Sequence, residues 1–240
     1  MDGATARHDA VAWGYAKEAA KRGVEIHQLT EVQDFVTEKN QVTAVKTNRG
    51  SIKCGCVVQA IAGASSILMN KLHIKSPIHT FPLQAMVSQP FKPFLNPLVS
   101  SSALHCYVQQ TSRGEIVFGG GSDPYPLYNT RSTLDLKESL LAHAIEMFPF
   151  MANVKLMRQW AGMTDMTPDY SPIMGKSPYD NYYLDAGWGT WGFKSTPICG
   201  KTMAELVATG RTPDLIKPFE LSRFSRFQQV NEMGATAASH

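Results

Sequence analysis

Apolar positions recur along the chain in two periods, and each period predicts one kind of element. In residues 10–22 the apolar side chains follow a helical spacing that stops at Gly23, which predicts an α-helix with a glycine C-cap. Short alternating or continuous apolar runs predict strands after that helix. The predicted strands of this first region are Val24–Gln28, Val32–Thr37, Val42–Asn48 and Ser51–Ala60.

A second region, rich in strand patterns, begins at Phe81. One helical pattern, Thr133–Phe148, interrupts it and predicts a helix that covers a sheet. The predicted strands are Leu83–Ser88, Ser101–Gln110, Gly114–Gly121 and Val154–Trp160. Consecutive strands joined by short turns favour an antiparallel sheet.

Residues 182–210 predict a strand, a glycine-rich turn and a helix. We expect Thr196 to be the helix N-cap, Pro197 the first helical residue and Gly210 the C-terminal stop. Glycines let the backbone pass close to a ligand, and a helix start presents unpaired N–H groups to it. The turn therefore suits a flavin ring or a phosphate, although an ordinary strand-to-helix connection accounts equally well for the glycine spacing.

Composition excludes several classes of function. The 240 residues carry a net charge of +3 without a run of basic residues, which argues against nucleic-acid binding. No apolar stretch approaches the roughly 20 residues of a membrane span, and the start lacks the pattern of a signal peptide. We therefore expect no membrane partner and a cytoplasmic location. The histidines are too scattered for a zinc site, so no metal is expected.

Several segments together carry a resemblance to a known family. They are Ala6–Trp13 (ARHDAVAW), Phe81–Ala85 (FPLQA), Trp160–Met163 (WAGM), Thr167–Gly175 (TPDYSPIMG) and Gly187–Pro197 (GWGTWGFKSTP). The combination resembles the flavin-dependent amine oxidases of the D-amino-acid oxidase and sarcosine oxidase superfamily, and most narrowly the beta subunits of heterotetrameric sarcosine oxidases. Small matches continue to Lys217–Phe219, so the resemblance spans nearly the whole chain.

The resemblance implies an α/β, or mixed α+β, fold. It predicts an FAD/NAD(P)-binding Rossmann-like flavoprotein domain interleaved with an antiparallel-sheet substrate domain. The expected parts are residues 1–80 of the flavin domain, residues 81–175 of the substrate domain, and a return to the flavin domain in residues 176–240. This sequence does not open on a βαβ unit whose G-x-G-x-x-G turn holds a dinucleotide pyrophosphate, so we expect the flavin domain to be truncated at its amino terminus.

The resemblance also implies two flavin cofactors and the residues that hold them. FMN would be attached covalently through His8, with Arg7 supplying positive charge nearby. Lys194 would bind the substrate carboxylate from an inward-facing turn and act as the catalytic residue. The remaining FAD contacts implied are Val32, Gly63, Gly187, Trp188, Gly189, Thr190, Gly192, Phe193 and Lys194 itself. By residue type alone, His8, Arg7 and Lys194 also fit ordinary surface positions, and Val32 fits a core position.

The activity implied is oxidation of the N-methyl group of sarcosine to give glycine. Electrons would pass from FAD to FMN and then to oxygen, giving hydrogen peroxide, and the methylene group would pass to tetrahydrofolate on another subunit. Alpha, gamma and delta subunits would be the partners. Two alternatives stay open: a flavoprotein acting on another amine, such as dimethylglycine, proline or an opine-like compound, or a truncated inactive subunit.

Overall fold

The computed structural model describes residues 5–230. Helices separate groups of consecutive strands along the described chain, and short 3₁₀ helices lie at Pro149–Asn153, Asp214–Phe219 and Leu221–Arg223. The α-helices are α1 (His8–Lys21), α2 (Ser65–Lys71), α3 (Leu134–Met147) and α4 (Gly192–Thr209). The strands are β1 (Val32–Glu38), β2 (Gln41–Thr47), β3 (Gly50–Lys53), β4 (Val57–Gln59), β5 (His79–Pro90), β6 (Val99–Ser101), β7 (Cys106–Gln110), β8 (Glu115–Ser122), β9 (Leu156–Met166), β10 (Ile173–Lys176) and β11 (Tyr182–Ala186).

Two three-stranded sheets share one hydrophobic core. Strands β1, β2 and β3 form an antiparallel meander, and the other sheet has the order β10-β11-β4, with β11 parallel to β4. The Phe35 ring of β1 meets the Tyr182 ring of β11 edge to face, with centroids 5.5 Å apart. Val42 and Leu184 are fully buried in the same cluster. This packing joins residues far apart in the sequence into one unit.

The third sheet is five-stranded and antiparallel, with the order β6-β7-β8-β5-β9. One face packs against α3, where Leu140 and Ala144 are buried against Met86 and Phe118. The predicted antiparallel sheet and its covering helix are therefore confirmed. Strand β9 lies at the edge and runs antiparallel to β5 along most of its length, which carries its last residues back toward α2 and β11.

Some predicted element boundaries are wrong. Residues 24–28 form no strand: Val24 and Ile26 are each more than half exposed, and no described strand lies beside them to complete a ladder. The run Ser51–Ala60 divides into β3 and β4, and Ser101–Gln110 divides into β6 and β7 at a turn. The first turn carries the chain from one sheet to another, and the second reverses it so that β6 and β7 pair as antiparallel neighbours.

The start of α4 also differs from the prediction. The N-cap is Trp191 rather than Thr196, and Pro197 lies inside the helix. The hydroxyl of Thr196 donates to the carbonyl of Gly192, one helical turn earlier. The side chain therefore bonds to the backbone inside the helix and does not cap its N-terminus. The predicted stop is confirmed, because Gly210 is the C-cap in a left-handed conformation with φ 69°. Lys194 consequently lies in the first turn of α4.

Helix α1 is confirmed and begins two residues before the predicted position, at His8. The backbone N–H of Gly23 donates to the carbonyl of Ala20 with a positive φ, as expected of a glycine that follows a helix. No residue of α1 is buried. Within residues 5–230 no helix is both long and apolar enough to cross a membrane. The division of the chain into domains stays a prediction.

Candidate functional site

The predicted glycine turn connects β11 to α4 and depends on backbone conformations that glycine adopts without strain. Gly187 has a φ of 70° and Gly189 a φ of 53°. Helix α4 begins at Gly192, and its N-cap, Trp191, makes no side-chain capping hydrogen bond. The first N–H groups of an 18-residue helix and its positive dipole end therefore lie directly behind the turn.

The end of β9 supports this turn from behind. A side chain on Gly187 would meet Thr167 Cγ2 at 2.7 Å, and one on Gly189 would meet Met166 Sδ at 2.7 Å. The N–H of Gly189 donates to the backbone carbonyl of Asp165 at 2.8 Å. Three consecutive residues of β9 and its exit thus hold the turn in place.

The same strand end supports a second turn, the one between β4 and α2 that contains Gly63. Gly63 has a φ of 76°, and a side chain there would collide with Met163 Cβ at 2.6 Å. The buried carboxylate of Asp165 accepts the Thr80 hydroxyl at 2.7 Å and the Ser65 N–H at 3.4 Å. Strand β9 therefore brings together Gly63 and the Gly187 turn, which are more than 120 residues apart in the sequence.

An open cleft of about 450 Å³ lies along α4. Trp188, Trp191 and Lys194 line one part of it, and Tyr170, Leu215 and Phe219 line another. Lys194 is the one charged side chain among the described residues of the lining, and its Nζ lies 4.1 Å from the centre of the Trp191 ring. The cleft therefore combines aromatic faces with a single cation.

Two titratable groups lie at this cleft: Cys199 is part of its lining, and Asp185 accepts a hydrogen bond from the lining residue Trp188. Burial raises the pKa of Asp185, and a 2.6 Å hydrogen bond from the Trp188 indole N–H partly opposes that rise. Burial, together with the nearby Asp185 charge, raises the pKa of Cys199 to about 11. Cys199 is therefore a protonated packing residue at neutral pH and not a nucleophile.

Other predicted contacts lie at the surface of the described chain. Lys194 is exposed and not inward-facing, and Phe193 is half exposed, because the first turn of α4 projects both away from the core. Thr190 is exposed as well. Gly192 lies against the Trp188 side chain, since a Cβ there would meet Trp188 Cβ at 3.1 Å.

Arg7, His8 and Val32 are not brought to the cleft by any described contact. His8 is the first residue of α1, so it lies within the helix and not before it, and its side chain is exposed. Arg7 pairs with Asp9 across 2.5 Å. Within residues 5–230, the hydrogen bonds and ion pairs of α1 are all made inside the helix and with its flanking residues. Val32 is the first residue of β1 and packs against the shared core.

The geometry of the two turns fits an FAD group. The Gly63 and Gly187 turns both expose backbone without side chains, and the positive end of α4 favours electron density on a bound ring. A Cβ on Gly162 of β9 would meet nothing within 4 Å, so the space at that residue is open. These features make room for a flat ring beside hydrogen-bond donors.

Sequence reasoning missed the contribution of β9. Met163, Asp165 and Met166 hold the two turns, yet only Met163 belongs to a sequence motif, and the predicted strand Val154–Trp160 ends before all three. The available signal was the polar pair Thr164-Asp165 inside an otherwise half-buried strand, since both side chains are buried in the structure. Buried polar residues in a strand mark positions with a specific partner.

Comparisons with known proteins agree with this site. The FAD dependent oxidoreductase family matches residues 1–206. The chain is 43% identical to sarcosine oxidase subunit beta of Rhodobacter capsulatus over 99% of its length and 57% of that protein. It is 42% identical to the Arthrobacter subunit over 98% of its length and 58% of that protein.

A solved structure of L-proline dehydrogenase from P. horikoshii is 30% identical, with a TM-score of 0.84 over 92% of this chain and 60% of that one. The chain thus spans somewhat more than half the length of the proteins that it matches. Because the family match includes β9 and most of α4, it covers both glycine turns described above. The chain belongs to the FAD dependent oxidoreductase family.

Proposed function

We propose that this chain is part of a sarcosine-oxidising flavoenzyme, in the position that subunit beta occupies in sarcosine oxidases. The observation that carries the proposal is 43% identity to such a subunit along 99% of the chain. The resemblance motifs coincide with the geometry: the GWGTWGFK turn joins β11 to α4, and the WAGM and TPDYSPIMG segments form or follow β9. Both segments contact the turns that fit a flavin.

The proposed reaction removes a hydride from the N-methyl carbon of sarcosine. Bound FAD supplies the two-electron acceptor. The substrate becomes an iminium cation, whose methylene group passes to tetrahydrofolate on another subunit or is released by water as formaldehyde, leaving glycine. The chain itself has to hold the substrate carboxylate and exclude competing orientations.

Lys194 is the residue that we propose binds that carboxylate. It is the one cation among the described lining residues of the aromatic cleft, and it lies in the first turn of α4 behind the glycine turn. The Trp191 ring below its ammonium limits the positions that the side chain adopts. Gly63, Val32 and residues 187–193 would contact FAD, as the resemblance implies.

We further propose that electrons leave FAD for an FMN attached covalently to His8, and that oxygen is reduced there to hydrogen peroxide. The motif ARHDAVAW supports this role, together with the exposed imidazole at the start of α1. The partners would be alpha, gamma and delta subunits in a heterotetramer located in the cytoplasm. All of α1 is unburied in this chain, which leaves it accessible to a partner.

The substrate is tested with a chimera in which this chain replaces the matched segment of the Rhodobacter capsulatus subunit, assembled with its partner subunits. We expect oxidation of sarcosine. Lys194→Met should lower kcat/KM for sarcosine by at least about 30-fold, since an unpaired substrate carboxylate costs about 2 kcal/mol or more. The control is Lys201→Met, an exposed lysine of the same helix. Equal activities of the two variants would show that Lys194 does not bind the substrate.

A specific observation favours a second candidate substrate. The P. horikoshii L-proline dehydrogenase has the same fold and 30% sequence identity. A panel of sarcosine, dimethylglycine and L-proline given to the chimera discriminates between the candidates. Faster turnover of L-proline than of sarcosine would replace the proposed substrate and leave the flavin site unchanged.

Covalent FMN is tested by mass spectrometry of the assembled chimera. A peptide containing His8 should be heavier by one FMN, and His8→Ala should abolish that mass. His27, which is also exposed and lies beyond α1, serves as the control substitution. FMN found on another residue, or retained after His8→Ala, would contradict the assignment.

A further inference from the structure

A second groove, of about 870 Å³, lies away from the aromatic cleft. The segment after α2, the end of β10 and the segment after α4 form its lining, with residues 73–77, 176–178, 220–222 and 224–225. In the pairing of β10 with β11, Lys176 lies opposite Tyr183, whereas Ile173 lies opposite Ala186, the residue before the Gly187 turn. Because a strand rises about 3.3 Å per residue, the groove lies roughly 10 Å from that turn, at the other end of β10.

Two lysines of this groove have no counter-charge within the described chain. Lys75 and Lys176 are exposed, and neither forms an ion pair with any residue of 5–230. Glu220 is the one carboxylate among the described lining residues. Arg226 pairs with it at 2.5 Å, and the Ser222 hydroxyl donates to it at 2.8 Å. The groove therefore carries an excess of positive charge at neutral pH.

Hydrogen-bond donors beside Lys75 are also without acceptors. The backbone N–H groups of Lys75 and Ser76, in the irregular segment before β5, donate to no group of the described chain. The Ser76 Oγ accepts the Ile78 N–H at 3.2 Å, and its own hydroxyl hydrogen has no acceptor among residues 5–230. Free N–H and O–H donors next to compact ammonium charges favour a phosphate group.

Other parts of the lining are apolar. Ile74 is buried, and Leu221 and Phe224 pack against the core that the two small sheets share. The Arg223 guanidinium lies 4.1 Å from the centre of the Phe224 ring and limits the positions that the ring adopts. An inorganic phosphate would leave this apolar surface in water, whereas a ligand with an apolar body would cover it.

We propose that this groove is a binding site for an organic phosphate with an apolar body. Lys75 and Lys176 neutralise the phosphate, the free donors of Lys75 and Ser76 bind its oxygens, and Leu221 and Phe224 contact the body. The volume lies within the range of about 300–1,000 Å³ that small-molecule sites occupy. The site is separate from the Gly187 turn and from Lys194, so it does not depend on FAD or on the amine that is oxidised.

The test is isothermal titration calorimetry of the full chain with 1-naphthyl phosphate, inorganic phosphate and 1-naphthol. 1-Naphthyl phosphate should bind at least about tenfold more tightly than the other two, because it alone has both the charge and the apolar body. Lys75→Gln and Lys176→Gln should each weaken its binding about fivefold or more.

The matched control is Lys155→Gln, which removes an exposed lysine outside the groove. It should change the affinity by less than about twofold, because salt screens a distant exposed charge. The urea midpoints of all three variants should equal that of the unsubstituted chain, since none of these lysines forms an ion pair in residues 5–230. A change in affinity then reports on binding and not on folding.

The location is tested by acetylation of the lysines followed by peptide mass spectrometry. 1-Naphthyl phosphate should protect Lys75 and Lys176 and leave Lys155 reactive. Four results would overturn the proposal: no binding of 1-naphthyl phosphate, equal affinity for inorganic phosphate, equal weakening by Lys155→Gln, or no protection of Lys75 and Lys176. The second would show that the apolar lining does not contact the ligand, and the third would show a nonspecific effect of net charge.

Discussion

Replacing Arg223 should destabilise the chain more than replacing any exposed arginine. Its side chain is 2% exposed and donates to both carboxylate oxygens of Asp169, from Nε at 2.8 Å and from Nη2 at 2.9 Å. The guanidinium also donates to the carbonyls of Phe219 and Ser171. This ion pair connects the segment after α4 to the turn that follows β9.

The expected loss of unfolding free energy in Arg223→Met depends on the interactions that Asp169 retains. Asp169 keeps its hydrogen bonds from the Thr167 hydroxyl and from the N–H groups of Ser171 and Val230, but it loses its only buried counter-charge among the described residues. Breaking a buried ion pair by removing one partner costs about 3–5 kcal/mol. That is a large fraction of the roughly 5–15 kcal/mol by which a domain is stable.

The assay is urea unfolding of the full chain, followed by circular dichroism. The matched control is Arg226→Met, which removes an exposed pair with Glu220 and should cost about 0–1 kcal/mol. Adding Asp169→Asn to Arg223→Met should restore part of the loss, because the uncompensated buried charge is then gone. A cost of Arg223→Met no larger than that of Arg226→Met would refute the reasoning.

The same pair predicts a pH dependence. Burial of Asp169 acts to raise its pKa, but hydrogen bonds from Arg223 and from the Val230 N–H, with the guanidinium charge, outweigh burial and lower the pKa overall. A carboxyl with a lowered pKa in the folded state stabilises the fold fully above its unfolded pKa of about 3.9. The difference in unfolding free energy between wild type and Arg223→Met should therefore diminish as pH falls below about 4.

Three further predictions concern other parts of the chain. Gly187→Ala should lower the unfolding free energy by at least about 1–2 kcal/mol, because Gly187 has a positive φ and a Cβ there would clash with Thr167 after β9. Gly200→Ala should raise the unfolding free energy by about 0.5–1 kcal/mol, because Gly200 lies within α4 and has open space around it. Urea unfolding measures both changes. Iodoacetamide at pH 8 should modify exposed Cys56 before Cys106 and Cys199, whose pKa values burial raises to about 11, as peptide mass spectrometry would show. The chain alone should bind FAD weakly in equilibrium dialysis, because it spans only 57% of the Rhodobacter capsulatus subunit and its glycine turns would contact only part of the cofactor; tight one-to-one binding would contradict this.

Local patterns in the sequence determined much of the fold. The antiparallel sheet with its covering helix, the strands β1 and β2, and the ends of α1 and α4 at Gly23 and Gly210 are all present in the structure. Each depends on periodicity or on glycine conformation, which act over a few residues. The motifs were equally informative, because they located the glycine turn and indicated the family before any contact was known.

Only the tertiary structure decided where those elements meet. Residues 24–28 have a strand pattern but no neighbouring strand, and Thr196 has a capping side chain but lies inside a helix that begins at Gly192. Pairing over long distances brings Gly63 and Gly187 to the same end of β9. Such arrangements depend on contacts between residues about 100 positions apart, and no local pattern encodes them.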